Sequence, residues 1–320
     1  MSPVHEARNS QRDCLPRILA FCLLFALLGV AAAHEGSYGI LLLAHGGDPS
    51  WNREIMKIRS ALEAETPAEA AFGMADAREI QAAVKRLEAR RVSKIVAVPL
   101  FVNSRSEVMD QTRYVLGLSL KPSEILRDAL SGLSHQDACQ PQACGAHHHS
   151  FSLERVRSSL PLVLTPALDG HPLVAEILLE RARALSREPG RETVILVGHG
   201  PVDEEANREW LTTMKSLAGV VRARGGFGAV LAATIRDDSP QEVKAAAAQA
   251  LRRMVREGVG RVLVVPHLIA RGGIERHILA ILEGLTYSWD GRTLCPHPNM
   301  ALWAAQAAAE GARREDMKRF

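Results

Sequence analysis

Two histidines sit in nearly the same setting. His45 lies in Leu41-Leu42-Leu43-Ala44-His45-Gly46-Gly47, and His199 in Ile195-Leu196-Val197-Gly198-His199-Gly200-Pro201. Each follows an aliphatic run and precedes a glycine, so each is aimed from a buried strand into a bend that glycine makes at least cost. A neutral imidazole in such a place can bind a divalent cation or accept a proton. A carboxylate opposite it can share the cation or take a second proton. The acidic candidates follow two related proline motifs. Glu107 stands eight residues beyond Pro99, and Pro266 is followed by His267, Glu275 and His277. Gly46 and Gly200 let a bulky ligand approach closely. Arg105 and Arg271, in the matching loops after those prolines, carry forked donors suited to carboxylates.

Other histidine chemistries lack their partners. A phosphohistidine mutase or phosphatase needs an arginine directly before the histidine, where this chain has Ala44 and Gly198. A hydrolase using an HGG loop needs a G-x-S-x-G nucleophile elbow, and the sequence has none. It also has no G-x-x-x-x-G-K-[ST] phosphate loop and no HExxH zinc spacing, so no nucleotide is implied.

The elements that must hold these side chains alternate in type. Apolar runs at 40–44, 70–74, 95–100 and 162–164 read as strands, and amphipathic segments at 50–65, 76–91, 106–116 and 172–186 as helices. The second half repeats the series, with strands at 194–197, 230–234 and 262–265 and helices at 203–217, 240–257, 274–284 and 301–311. This alternation predicts an α/β fold with parallel sheets flanked by helices. Ligands of such sheets bind beyond the strands' C-terminal ends, where His45 and His199 stand.

The halves also match in detail. Asn52-Arg53-Glu54 answers Asn207-Arg208-Glu209, KIVAVPLFV answers RVLVVPHLI, and Leu164-Thr165-Pro166 with His171-Pro172 answers Leu294-Cys295-Pro296 with His297-Pro298. Several matches in one order indicate a duplicated domain. His171 and His297 precede prolines at helix starts and read as capping residues. His267 faces either the ligand cleft or the core.

The first 33 residues stand apart: Arg8, Arg12 and Arg17, then the apolar run Ile18–Val30, then Ala31-Ala32-Ala33. That order is the pattern of a secretory signal peptide. The expected organisation is a signal peptide over 1–33, a first domain over 34–188 with an insertion at 119–158, and a second domain over 189–320. The body is then exported, to the periplasm, or membrane-anchored if the signal is not cleaved. Cys139, Cys144 and Cys295 remain beyond the signal. Cys139 and Cys144 pair or bind metal, and together with His147, His148 and His149 they offer a metal-capture loop for Co²⁺, Ni²⁺ or Zn²⁺. Cleavage after Ala33 would leave His34 as an N-terminal chelator. With 320 residues, 47% hydrophobic, 23% charged and a net charge of +3, the chain is globular, and nothing in it points to nucleic acid.

A histidine faced by a second polar residue in a glycine-lined cleft suits the exchange of two ring N–H protons for one metal ion. The repeated A/G-H-G loop, the V-P-L-F-V stretch and the L-x-P…H-P-L-V-A-E segment resemble the class II tetrapyrrole chelatases, nearest to the sirohydrochlorin cobaltochelatase branch of cobalamin biosynthesis. The resemblance covers most of residues 38–311. It implies two tandem chelatase-like domains and ATP-independent insertion of a divalent metal, cobalt first with Ni²⁺ or Fe²⁺ as alternatives, into a tetrapyrrole such as sirohydrochlorin. The family's first active-site histidine falls on His45 and, through the repeat, on His199. Its second falls on Glu107, where a glutamate stands instead, and in the second half near Ile274, beside Glu275 and His277. His45, Glu107 and His199 are thus the expected catalytic groups and metal ligands, with Glu275 or His277 completing the second set. Export departs from the family's cytoplasmic pathways, so a second reading is an exported binding protein for metal or tetrapyrrole without turnover.

Overall fold

Residues 37–122, 127 and 154–315 are described by the computed structural model. The signal segment, His34, Cys139, Cys144, His147, His148 and His149 lie outside them. Among the described residues, strands and helices alternate through β1 (Tyr38–Ala44), α1 (Pro49–Glu63), β2 (Ala68–Phe72), α2 (Ala77–Glu88), β3 (Lys94–Pro99), α3 (Glu107–Val115), β4 (Leu162–Leu164) and α4 (Pro172–Leu185). The series resumes with β5 (Glu192–Gly198), α5 (Glu204–Gly225), β6 (Ala229–Thr234), α6 (Gln241–Glu257), β7 (Arg261–Pro266), α7 (Gly273–Ile281) and α8 (Pro298–Ala312). No described helix is long and apolar enough to cross a membrane.

The strands form two parallel sheets, ordered β2-β1-β3-β4 and β6-β5-β7. In both, the first strand of the half lies in the middle and the chain leaves it first to one side, then to the other. The C-terminal ends of β1 and β5 are therefore switch points, where the loops diverge and leave a crevice. β1 is buried along its length after Tyr38, and β5 along all of it, as strands covered on both faces must be.

The helices follow from local rules. Asp48 caps α1 by accepting the N–H groups of Ser50 at 2.8 Å and Trp51 at 3.0 Å, with Pro49 at the first helical position. Ile55, Ile58 and Leu62 then form its buried stripe. Asp203 caps α5 in the same way, through the Ala206 N–H at 2.7 Å. That helix runs to Gly225, past the expected end at Leu217, because Val221 extends the buried line of Trp210, Met214 and Leu217 by another turn.

Three cores result. One lies on the outer face of the first sheet, under α2 and α3, and another on the outer face of the second, under α6 and α7. The third is continuous through both halves and takes in Ile40, Val96 and Val98 from the first sheet with Val194, Leu196 and Val265 from the second. The helices lining it are exchanged. α4, from the first half of the sequence, packs on α5 and β7, while α8, from the second half, packs on β3, β4 and α1. Lys94 Nζ reaches the carbonyls of Ala312 at 3.2 Å and Arg314 at 2.7 Å, fastening the end of α8 to the start of β3.

Both helix-start histidines cap. His171 Nδ1 accepts the Leu173 N–H at 3.2 Å, and His297 Nδ1 accepts that of Asn299 at 3.0 Å.

Candidate functional site

The crevice is built from four loops, one after each of β1, β5, β6 and β7, with the loop after β3 beside them. Gly46 and Gly200 adopt φ of 82° and 80°, so both histidine bends use the left-handed backbone that glycine tolerates. The repeated asparagines support these bends. Asn52 Oδ1 accepts the Gly47 N–H at 3.0 Å, and the buried Asn207 accepts the Thr234 hydroxyl at 2.9 Å directly beneath Gly200.

His45 is exposed, with Nδ1 2.9 Å from the carbonyl of Gly46. His199 is half-buried, and burial pushes its pKa down. Asp238 and Asp237 pull it back up, and the imidazoles of His45 and His277 press it down again. Four side chains from both halves of the sequence therefore share one electrostatic field at His199. His45, from the first half, is thus close enough to His199 for the charge of one to act on the other.

The two histidines differ in what lies beside them. Gly73 donates its N–H to the His45 carbonyl at 3.1 Å, and Arg236 does the same for His199 at 2.7 Å. Both donors have positive φ, 112° at Gly73 and 52° at Arg236. After Gly73 come Met74 and Ala75, but after Arg236 come Asp237 and Asp238. Asp238 Oδ2 stands 3.2 Å from His199 Nε2, within ion-pair distance but without hydrogen-bond geometry, since Nε2 is covered and has no hydrogen-bond partner. Asp237 Oδ2 accepts from His277 Nδ1 at 2.5 Å. The two aspartates were missed in the sequence, where they fall between the expected strand at 230–234 and the expected helix at 240–257. The available signal was position, at the ligand end of a strand.

The remaining expected residues separate. His277 joins the cluster through Asp237. Glu275 does not: it is buried in the first turn of α7 and accepts from Arg271 Nε at 3.1 Å. Glu107 is the first residue of α3, half-buried, beyond the strand next to β1. Asp169 anchors that loop by accepting the Ser104 N–H at 2.7 Å and hydroxyl at 2.6 Å. Arg105 pairs with Glu209 of α5 at 3.0 Å, a link between the halves. Arg105 and Arg271 keep 72% and 68% of their side-chain exposure, so both remain open to an anionic ligand. Trp51 of α1 stands against the backbone of Gly272, where an added Cβ would lie 3.8 Å from its ring. His267 faces the core, not the crevice: it is 1% exposed, both ring nitrogens lack partners, and burial depresses its pKa to about 4.

Known proteins share this architecture. The family model described as CbiX matches twice, over residues 39–185 and 193–311. No curated protein matches the chain. Among solved structures, SirB from Bacillus subtilis with Fe³⁺ is similar over 88% of this chain and 100% of its own, at 14% identity and a TM-score of 0.57. The sirohydrochlorin chelatase SirB from Bacillus subtilis subspecies spizizenii, in complex with cobalt, covers the same shares at 14% identity and a TM-score of 0.55. A multi-domain protein of Deinococcus radiodurans, described as structurally similar to chelatases but with two additional domains, is 20% identical with a TM-score of 0.51. The match spans 89% of this chain and 56% of that one. At these identities the likeness is one of fold.

Proposed function

The chain belongs to the CbiX family, and from that membership we propose that it is a metal chelatase that inserts a divalent cation into a tetrapyrrole of the sirohydrochlorin kind without ATP. The observation that supports this reading is that His45 and His199 each stand at the switch point of their own sheet and lie close enough for the charge of one to act on the other. Insertion requires a cation to shed water and a ring to lose two N–H protons. Imidazole serves both needs, as a ligand when neutral and as an acceptor for a departing proton. Burial lowers the His199 pKa and so favours the neutral imidazole, the form whose lone pair can bind metal.

In this reading His45, on the exposed lip, binds the metal and receives a ring proton, with Glu107 as its carboxylate partner. Arg105 and Arg271 meet the carboxylates at the ring periphery, and Gly46 and Gly200 let its flat face approach. Cobalt is the metal we favour, supported by the cobaltochelatase-like motifs, with Fe²⁺ and Ni²⁺ as the competitors; one SirB structure holds Fe³⁺ and the other cobalt.

The test is the absorbance change of sirohydrochlorin with Co²⁺, Fe²⁺ and Ni²⁺ supplied in turn to the purified full chain. Wild type should accelerate insertion of at least one metal, and His45→Ala should cut that rate by about 10²-fold or more. No acceleration with any of the three would overturn the enzyme reading in favour of a binding protein. A His45→Ala rate equal to wild type would remove His45 from the chemistry.

A further inference from the structure

At the end of β7 remote from the crevice, the two halves differ in charge. Leu87 is the last buried residue of α2 and Val255 the last of α6, so Glu88 and Arg256, which follow them, hold equivalent places before β3 and β7. In the first half that place is filled by the chain itself. The Glu88 carboxylate accepts the Ser159 N–H at 2.7 Å and the hydroxyls of Ser159 at 2.9 Å and Ser158 at 3.1 Å, just before β4. In the second half the sign is reversed and the space is open. A cavity of about 470 Å³ lies between Arg256, the start of β7 and residues 284–288.

We infer that this cavity binds a small organic anion, a carboxylate or a phosphate monoester carried on an apolar body. Charge is the first support. Arg256 and Arg261 line the cavity, and no acidic residue does. Arg256 is exposed and pairs with no carboxylate among the described residues. Arg261 engages only Nη1, which donates to the Leu185 carbonyl at 2.7 Å and stands 3.8 Å from Glu192. The rest of its fork is available to an oxyanion.

Neutral donors are the second support. Thr286, Tyr287 and Ser288 also line the cavity, and their hydroxyls make no hydrogen bond among the described residues. Burial pushes the Tyr287 phenol up, so it stays protonated and able to donate. The wall is the third. Val255, Val262 and Leu285 present apolar surface, and Tyr287 packs against the core beneath. The volume falls within the roughly 300–1,000 Å³ of small-molecule sites, which combine such walls with a few polar groups. Arg261 is the first and Pro266 the last of the six residues of β7, so cavity and crevice lie at opposite ends of a strand about 17 Å long. The site therefore stands apart from the histidines and does not rest on the chelatase reading.

The experiment is calorimetric titration of the full chain at low salt with phenyl phosphate, benzoate and inorganic phosphate in turn. The parent carries Arg105→Gln and Arg271→Gln, because those crevice arginines would hold anions of their own. It should bind one equivalent of phenyl phosphate or benzoate, and the tighter of the two names the class. Arg256→Gln should weaken that binding at least tenfold, and Tyr287→Phe about threefold. Arg256 is exposed, so Arg256→Gln should melt with the parent and reads binding apart from folding. A parent that binds neither organic anion, or an Arg256→Gln protein that binds as the parent does, overturns the site. Inorganic phosphate bound as tightly as phenyl phosphate would overturn the apolar body as part of the ligand.

Discussion

His267 occupies the place that Leu100 holds in the first half: each donates its N–H to the neighbouring central strand, at Val197 and Leu43 respectively. An imidazole there has exchanged apolar packing for two unpartnered nitrogens, and the consequence is pH-dependent. Its folded pKa is about 4 against an ordinary 6.5, so the unfolded chain takes the proton first. The neutral form supports the fold fully above pH 6.5, and that support is lost as pH falls from 6.5 towards 4, up to roughly 3 kcal/mol. Urea midpoints measured between pH 7 and 4.5 should therefore fall less for His267→Leu than for wild type; equal slopes would refute this. At the same scale, His45 and His199 were legible in the sequence because aliphatic runs and glycines frame them. Asp237 and Asp238 were not, because a turn has no periodicity and adjacent carboxylates are usually solvated. Nor could spacing choose between Glu275 and His277, which lie on one short helix but meet different partners, Arg271 and Asp237.

The loops that carry the histidines differ in how tightly they are held. A Cβ on Gly46 would come no nearer than 3.4 Å to its surroundings, whereas one on Gly200 would lie 2.6 Å from Thr234 Cβ and 2.9 Å from Asn207 Oδ1. Gly46→Ala thus bears only the positive-φ penalty of about 1–2 kcal/mol. Gly200→Ala adds overpacking of about 1–3 kcal/mol and must displace the His199 bend. Chemical denaturation should rank the two in that order, and the Co²⁺ affinity of Gly200→Ala should drop as well. Helix and strand positions were almost wholly legible, because caps such as Asp48 and Asp203 and stripes such as Ile55, Ile58 and Leu62 are local signals. The end of α5 was an exception. Val221 is buried by its neighbours in the fold, and nothing in the residues after Leu217 marks it as part of the same stripe.

Across the whole molecule, the exchange of α4 and α8 makes each half incomplete alone. Trp303 of α8 is 2% exposed in the core shared with the first sheet, although it belongs to the second half of the sequence. Trp303→Ala should cost about 3–5 kcal/mol. Because its sheet contacts lie in the other half, probes in both halves should report the loss at the same denaturant concentration. A fragment comprising residues 189–320 lacks α4, so β7 and α5 lose that cover, and α8 loses the sheet it lies on. Such a fragment should bind a hydrophobic dye and melt without a cooperative transition. A cooperatively folding fragment would show that the shared core is dispensable.

The sequence by itself determined the α/β class, the duplication and the bends that follow the two histidines, because each is written in local pattern: apolar period, cap residues, and glycines that permit a bend. Tertiary structure alone decided which groups meet. The order of each sheet brings the loops after β5, β6 and β7 together, and so sets Asp237 and Asp238 beside His199 and His277 beside Asp237. The exchanged helices join both halves through one core, and His45 enters the same electrostatic field as His199. Contacts such as that between Asp237 and His277, 40 positions apart, depend on how the sheets wind and pack, and no local spacing in the chain encodes them.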